Sequence, residues 1–142
     1  MIKIREYNQH CINIADAIGL EGYIVASTED QAMKKLQDKA GVWMVAVYPS
    51  YSFEGSSTDS YKPLHDVLFF IATKQEEGSS NETELNQYAD TQEKMIQLRD
   101  YLFGAGDHNC ITFPNVDVSS VMIEPEYNIF GGYIGWSIKL SF

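Results

Sequence analysis

The sequence predicts an α+β domain, a mostly antiparallel β-sheet with helices packed on it, in the order α-β-α-β-β-α-β-β. Three observations lead there. The runs 42–48 and 67–72 are apolar at every position, as in strands covered on both faces. Residues 134–142 alternate apolar side chains with small or polar ones without error, the period of a strand. Apolar residues recur at steps of three and four near the start of the chain and again between Leu85 and Leu102, the period of a helix. With 142 residues, 44% of them apolar, the chain fits one such domain spanning 1–142.

Taken in order, Ile4, Tyr7, Cys11, Ile14, Ala15 and Ile18 share one face of a first helix, which Gly19 and Gly22 end. Residues 23–26 are a short β-prone run. Thr28 followed three positions later by Gln31 has the pattern of a capping box, opening a helix through Ala32, Met33 and Leu36. Gly41 offers the left-handed conformation that closes it. The two apolar runs supply central strands. Between them, residues 49–62 are rich in Ser, Tyr and Gly and read as a long polar connection, of the kind that carries function in a compact domain. Asn81 with Glu84 suits a cap for the longest helix, and Glu82 and Glu84 suit its positive end. Its stripe of Leu85, Tyr88, Met95, Leu98 and Leu102 is interrupted at Gln92, and Gly104 and Gly106 stop it. Val116, Val118, Val121 and Ile123 predict a strand bulged at Ser119 and Ser120 and ended by Pro125. The alternating segment follows it.

Charge narrows the function. The net charge is −10, and residues 76–107 alone hold eight acidic against two basic side chains. A phosphate backbone or an anionic membrane is repelled by such a chain, so no sequence-specific nucleic acid and no membrane is expected as partner. No run approaches the roughly 18–20 apolar residues of a membrane helix, and residues 1–6 do not open a signal peptide. A cytoplasmic protein is the expectation. Cys11 and Cys110 lack any CxxC spacing, and Cys11 on the helical stripe predicts a buried free thiol rather than a disulfide.

A search for chemistry yields little, and neither an enzyme nor a cofactor or metal is expected. His65 and Asp66 are neighbours on a strand and face opposite ways. Cys110 near His108 in a glycine-rich loop is the one conceivable nucleophile. The pairs Glu76/Glu77, Glu82/Glu84 and Glu124/Glu126 match no cation loop. The aromatic residues say more. Trp43, Phe69, Phe70 and Trp136 lie on strands and belong to the core, whereas Tyr51, Phe53, Tyr61, Tyr127 and Phe130 fall in expected loops, where aromatic side chains commonly build interfaces. Glu82, Glu84, Glu93 and Asp100 mark a candidate acidic face on the long helix.

Residues 123–138, Ile-Glu-Pro-Glu-Tyr-Asn-Ile-Phe-Gly-Gly-Tyr-Ile-Gly-Trp-Ser-Ile, resemble small structural proteins of tailed bacteriophages and prophages, of the tail-terminator and head–tail-connector type. The order of elements is similar over most of the chain. The resemblance implies a non-enzymatic virion protein with no catalytic residues, assembling as a homo-oligomeric ring, commonly a hexamer. It would contact other tail or connector proteins, and the segment holding Tyr51 and Phe53 would serve those contacts. The alternative, drawn from charge alone, is an accessory domain that binds a protein partner through the acidic face of residues 76–107.

Overall fold

The computed structural model describes residues 1–104, 113 and 115–142. Helix α1, Ile4–Ile18, turns Tyr7, Cys11, Ile14, Ala15 and Ile18 inward and leaves Ile4 exposed. Gly19 ends it in the left-handed conformation (φ 69°), and Lys94 from the third helix donates to the Ile18 carbonyl at 2.7 Å, placing a cation at the negative end of α1. Gly22 does not help to end the helix. It opens strand β1, Gly22–Ala26, where a Cβ would come within 2.4 Å of the Trp43 ring. Helix α2, Glu29–Leu36, is capped as expected: Thr28 accepts from the Gln31 N–H, and the Gln31 side chain accepts from the Ser27 N–H at 2.7 Å. It ends before Gly41, however. Asp38 takes the left-handed turn (φ 56°), and Gly41 (φ 89°) instead packs on Glu21 ahead of the next strand.

The largest departure lies in residues 49–62. The connection expected there is a β-hairpin, made by β3, Ser50–Ser57, and the first residues of β4, Ser60–Lys74. Its composition is polar, but Tyr51 and Phe53 alternate with Ser50, Ser52 and Glu54, and a period of two with a pairing partner is enough for a strand. The predicted order of elements therefore stands, with one strand more. Strand β2, Val42–Val47, precedes the hairpin. Helix α3, Asn81–Leu102, follows it, and β5, Asp117–Ile129, and β6, Tyr133–Ser141, complete the sheet.

The sheet runs β1-β2-β4-β6-β5, with β3 also paired to β4. Only β1 and β2 are parallel, and α2 is the crossover such a pair requires. All other pairs are antiparallel. One face, with Met44, Ala46, Val67, Phe69, Ile71 and Ile138, packs on α1 and α3. The other, with Ala26, Val45, Ala72 and Tyr133, packs on Ala32 and Leu36 of α2 and on Phe130. The two uninterrupted apolar runs are thus strands covered on both sides, as they read.

Helix α3 begins one residue earlier than expected. Ser80, not Asn81, caps it by accepting from the Thr83 N–H at 3.2 Å. The apparent gap in its stripe is filled by Thr91, which is fully buried and donates its hydroxyl to the Gln87 and Tyr88 carbonyls. The Tyr88 hydroxyl reaches the Glu126 carbonyl at 2.8 Å and the Trp136 indole N–H reaches the Tyr88 carbonyl at 3.0 Å, so one turn of α3 holds both β5 and β6. The bulge expected at Ser119 and Ser120 falls where the β5 register shifts, between Asp117 and Met122. Pro125 does not end that strand. It lies opposite Trp136, and β5 continues to Ile129 because an edge strand tolerates a residue without an N–H.

Gly135 is the tightest point of the sheet, since a Cβ there would lie 2.0 Å from the Ile71 carbonyl oxygen. Gly135→Ala must push β6 away from β4. A loss of about 1–3 kcal/mol in urea unfolding is expected, as for other overpacked cores. An unchanged midpoint would show that the strands are free to separate.

Candidate functional site

Strand β4 is 15 residues long and β6 only 9. Their ladder ends at Asp66 opposite Ser141, and beyond it His65 and Phe142 exchange one last pair of backbone hydrogen bonds at 2.8 and 2.9 Å. Among the described residues, 60–64 of β4 then pair only with β3, and β3 pairs only with β4. Residues 50–64 therefore form a two-stranded arm whose outer edges have no strand partner among the described residues.

The arm has two unlike faces. Residues directly opposed in an antiparallel pair share a face, so the pairs Tyr51/His65, Phe53/Pro63 and Gly55/Tyr61 put every aromatic side chain of the arm on one side. Ser50/Asp66, Ser52/Leu64 and Glu54/Lys62 make the other, polar side. The aromatic side lies on the same sheet face as α1 and α3. From the tip inward, Tyr61, Phe53, Tyr51 and His65 stand 4.9 Å apart at each step between ring centroids. His65 then stacks on Phe142 at 4.5 Å with the planes 7° apart, and Phe142 on Phe113 at 4.8 Å. Phe113 leads on to Phe69 and Tyr7 in the core, at 6.3 and 6.2 Å. A two-stranded ribbon alone is marginal in water. This row of rings anchors it, and at its outer end Phe53 is still 60% and Tyr61 53% exposed.

Two ties fix the base of the arm. The Ile2 N–H donates to His65 Nε2 at 3.0 Å, so His65 is held neutral by its role as acceptor, and burial lowers its pKa below the ordinary histidine value. Asp66, on the opposite face as expected, accepts a short hydrogen bond from the Ser141 hydroxyl.

Of the other residues singled out from the sequence, Tyr127 lies on β5 rather than in a loop and is 64% exposed. Tyr51, Phe53 and Tyr61 likewise lie on strands rather than loops. Phe130 is not a surface residue at all. It is 5% exposed in the β5–β6 turn, set edge-on to Phe70 at 5.0 Å, because the left-handed turn at residues 130–132 folds it under the sheet. On α3, Glu82, Glu93 and Asp100 stand eleven and seven residues apart, close to whole turns, and so form one outward stripe. Glu84 does not join it. It points back and accepts from the Gln75 side chain at 3.3 Å, and Asp100 is partly neutralised by Arg99 at 2.9 Å. Sequence reasoning missed His65, Phe113 and Phe142 as members of the aromatic row. The signal was the alternation Tyr61, Pro63, His65, Val67, Phe69, Ile71 along β4, which never breaks.

For chemistry, His108 and Cys110 lie outside the described residues. Cys11 is a buried free thiol whose pKa burial pushes up to about 12. Among the described residues no group of three or more His, Cys, Asp or Glu is placed to hold a metal ion. Glu126, from one of the acidic pairs, accepts instead from the Ser137 hydroxyl at 2.8 Å. A cleft of about 720 Å3 lies open between the start of α1 and β1. In its lining, Lys35 donates to the Val25 carbonyl at 2.6 Å and Tyr23 to Asn8 at 2.8 Å. Among the described residues no helix is long and apolar enough to cross a membrane. No known family model and no curated protein matches the chain.

The His65 geometry has a pH signature. With the folded-state pKa lowered, the contribution of this group to stability is complete above its unfolded value of about 6.5 and is lost as pH falls from there towards the folded value. An NMR titration should show His65 half-protonated below pH 6.5, with the Ile2 amide shift following it. His65→Gln should flatten that part of the stability profile, and a midpoint at or above 6.5 would contradict the assignment.

Proposed function

We propose that this chain is a non-enzymatic assembly protein that joins copies of itself into a closed ring, of the tail-terminator or head–tail-joining kind that residues 123–138 resemble. The observation that carries this reading is the arm. An aromatic face set on a projecting ribbon and locked to the core by stacked rings is a preformed contact surface. Monomeric proteins seldom leave such patches uncovered, and aromatic anchors are what interface cores are made of. Phe53 and Tyr61 stand at the free end, packed on each other and on Tyr51 but still more than half exposed. In a virion, the faces of the ring would meet other tail or connector proteins.

The outward stripe of Glu82, Glu93 and Asp100 favours a second reading, an accessory domain that docks a basic protein partner on α3. Salt separates the two. Copies that each carry −10 repel one another, so screening strengthens self-association, whereas it weakens a contact between opposite charges.

Light scattering on a sizing column tests the proposal. The wild-type chain is expected as a closed oligomer of about six copies whose population grows with salt. Phe53→Ser with Tyr61→Ser should run as a monomer that still unfolds cooperatively, losing about 1–3 kcal/mol with the Tyr51–Phe53 and Phe53–Tyr61 ring contacts. A wild-type chain monomeric at every concentration and salt, or a double variant that assembles normally, would overturn the reading.

A further inference from the structure

Resting on the ring reading, we infer that the surface receiving the arm is the edge strand β5 of a second copy of this chain. Among the described residues twelve large apolar side chains are exposed, and half of them lie on just two segments. Phe53 and Tyr61 are on the arm, and Val118, Met122, Ile123 and Tyr127 are on β5. Val118 and Tyr127 are 71% and 64% exposed. Within one chain neither segment covers the other.

The strand suits this occupant in pattern. β5 is the last strand of the sheet, and among the described residues no strand pairs with its outer side. Its register places Ile123 and Pro125 opposite Ile138 and Trp136, and alternation adds Tyr127 to that row. This row repeats at every second residue, as Tyr51 and Phe53 do on β3, so two strands laid side by side bring ring against ring at one pitch. Aromatic and β-branched pairs are the favoured cross-strand contacts.

Two features keep β5 from pairing with any passing strand. Pro125 removes one N–H, and the register shifts near either end break the line of backbone groups. The contact is thus carried by side chains, which select the arm. Its size is modest. An aromatic side chain buries roughly 150–250 Å2 in full, so the exposed parts of Phe53, Tyr61, Val118, Ile123 and Tyr127 give each contact a few hundred Å2, below the roughly 800 Å2 per partner of a standard interface. A closed ring, in which releasing one subunit breaks two contacts, makes a contact of this size hold. Donor and receiver are different strands, so the contact is head-to-tail. Such contacts build rings where the rotation closes, not two-fold dimers.

Complementation tests the inference. A donor-deficient chain carries Phe53→Ser and Tyr61→Ser, and a receiver-deficient chain carries Val118→Ser and Tyr127→Ser, all exposed sites. Each alone should be monomeric. Mixed in equal amounts they retain one good arm and one good β5, so they should form heterodimers of twice 16.1 kDa and nothing larger. A receiver-deficient chain that still assembles like wild type would overturn the role of β5 while leaving the ring intact. So would a mixture that stays monomeric while wild type assembles. A wild-type chain that never assembles would overturn the ring itself.

Discussion

The molecule is organised by a mismatch in length. β4 outruns β6, and the part of it that β6 cannot reach keeps only one partner, β3. Along its second half β4 is the centre of the sheet, with β2 on one side and β6 on the other and helices over both faces. Along its first half the same strand, with the same alternation, has lost both the helices and one neighbour. The sequence of β4 does not change character at that point: Tyr61 and Pro63 continue the inward row of His65, Val67 and Phe69. A core-facing pattern thus runs past the end of the core, and the arm is what results.

Stacked rings make that extension stiff. Tyr61 at the tip is linked through Phe53, Tyr51, His65, Phe142, Phe113 and Phe69 to Tyr7, whose hydroxyl donates to the Val47 carbonyl at 2.7 Å. Edge and offset contacts at these spacings are favourable for aromatic pairs, each by about 0.5–1.5 kcal/mol beyond area burial. An arm held this way keeps one orientation, so in the proposed assembly little ordering entropy would oppose docking. The net charge of −10 would set the long-range repulsion between copies.

The fold was largely legible because its strongest signals are periodic. The stripe of α1, the Thr28 cap and the alternation of β6 read directly, and both apolar runs are strands buried on two faces. What was not legible depended on partners. Residues 49–62 looked like a connection because hairpin pairing, not composition, makes them strand. Pro125 looked like a stop because only the sheet order reveals β5 as an edge. Phe130 looked exposed because its inward path depends on left-handed backbone at Asn128 and at residues 130–132. For the candidate site, Tyr51, Phe53 and Tyr61 were identifiable as aromatic residues without a core role. That they share a face with His65 and Phe142 required the register.

Hydrogen exchange along residues 50–64, followed across a dilution series, tests most directly whether the arm is covered by another copy. Among the described residues both outer edges of the arm are open, so its outward-facing amides, outside the β3–β4 ladder, exchange fast in isolation. Assembly through the arm predicts amides that are slow at high protein concentration and become fast on dilution, while those of β4 beyond Asp66 stay slow throughout. Exchange in the arm that is fast at every concentration while the chain remains oligomeric would contradict it, and would place the contact elsewhere on the surface.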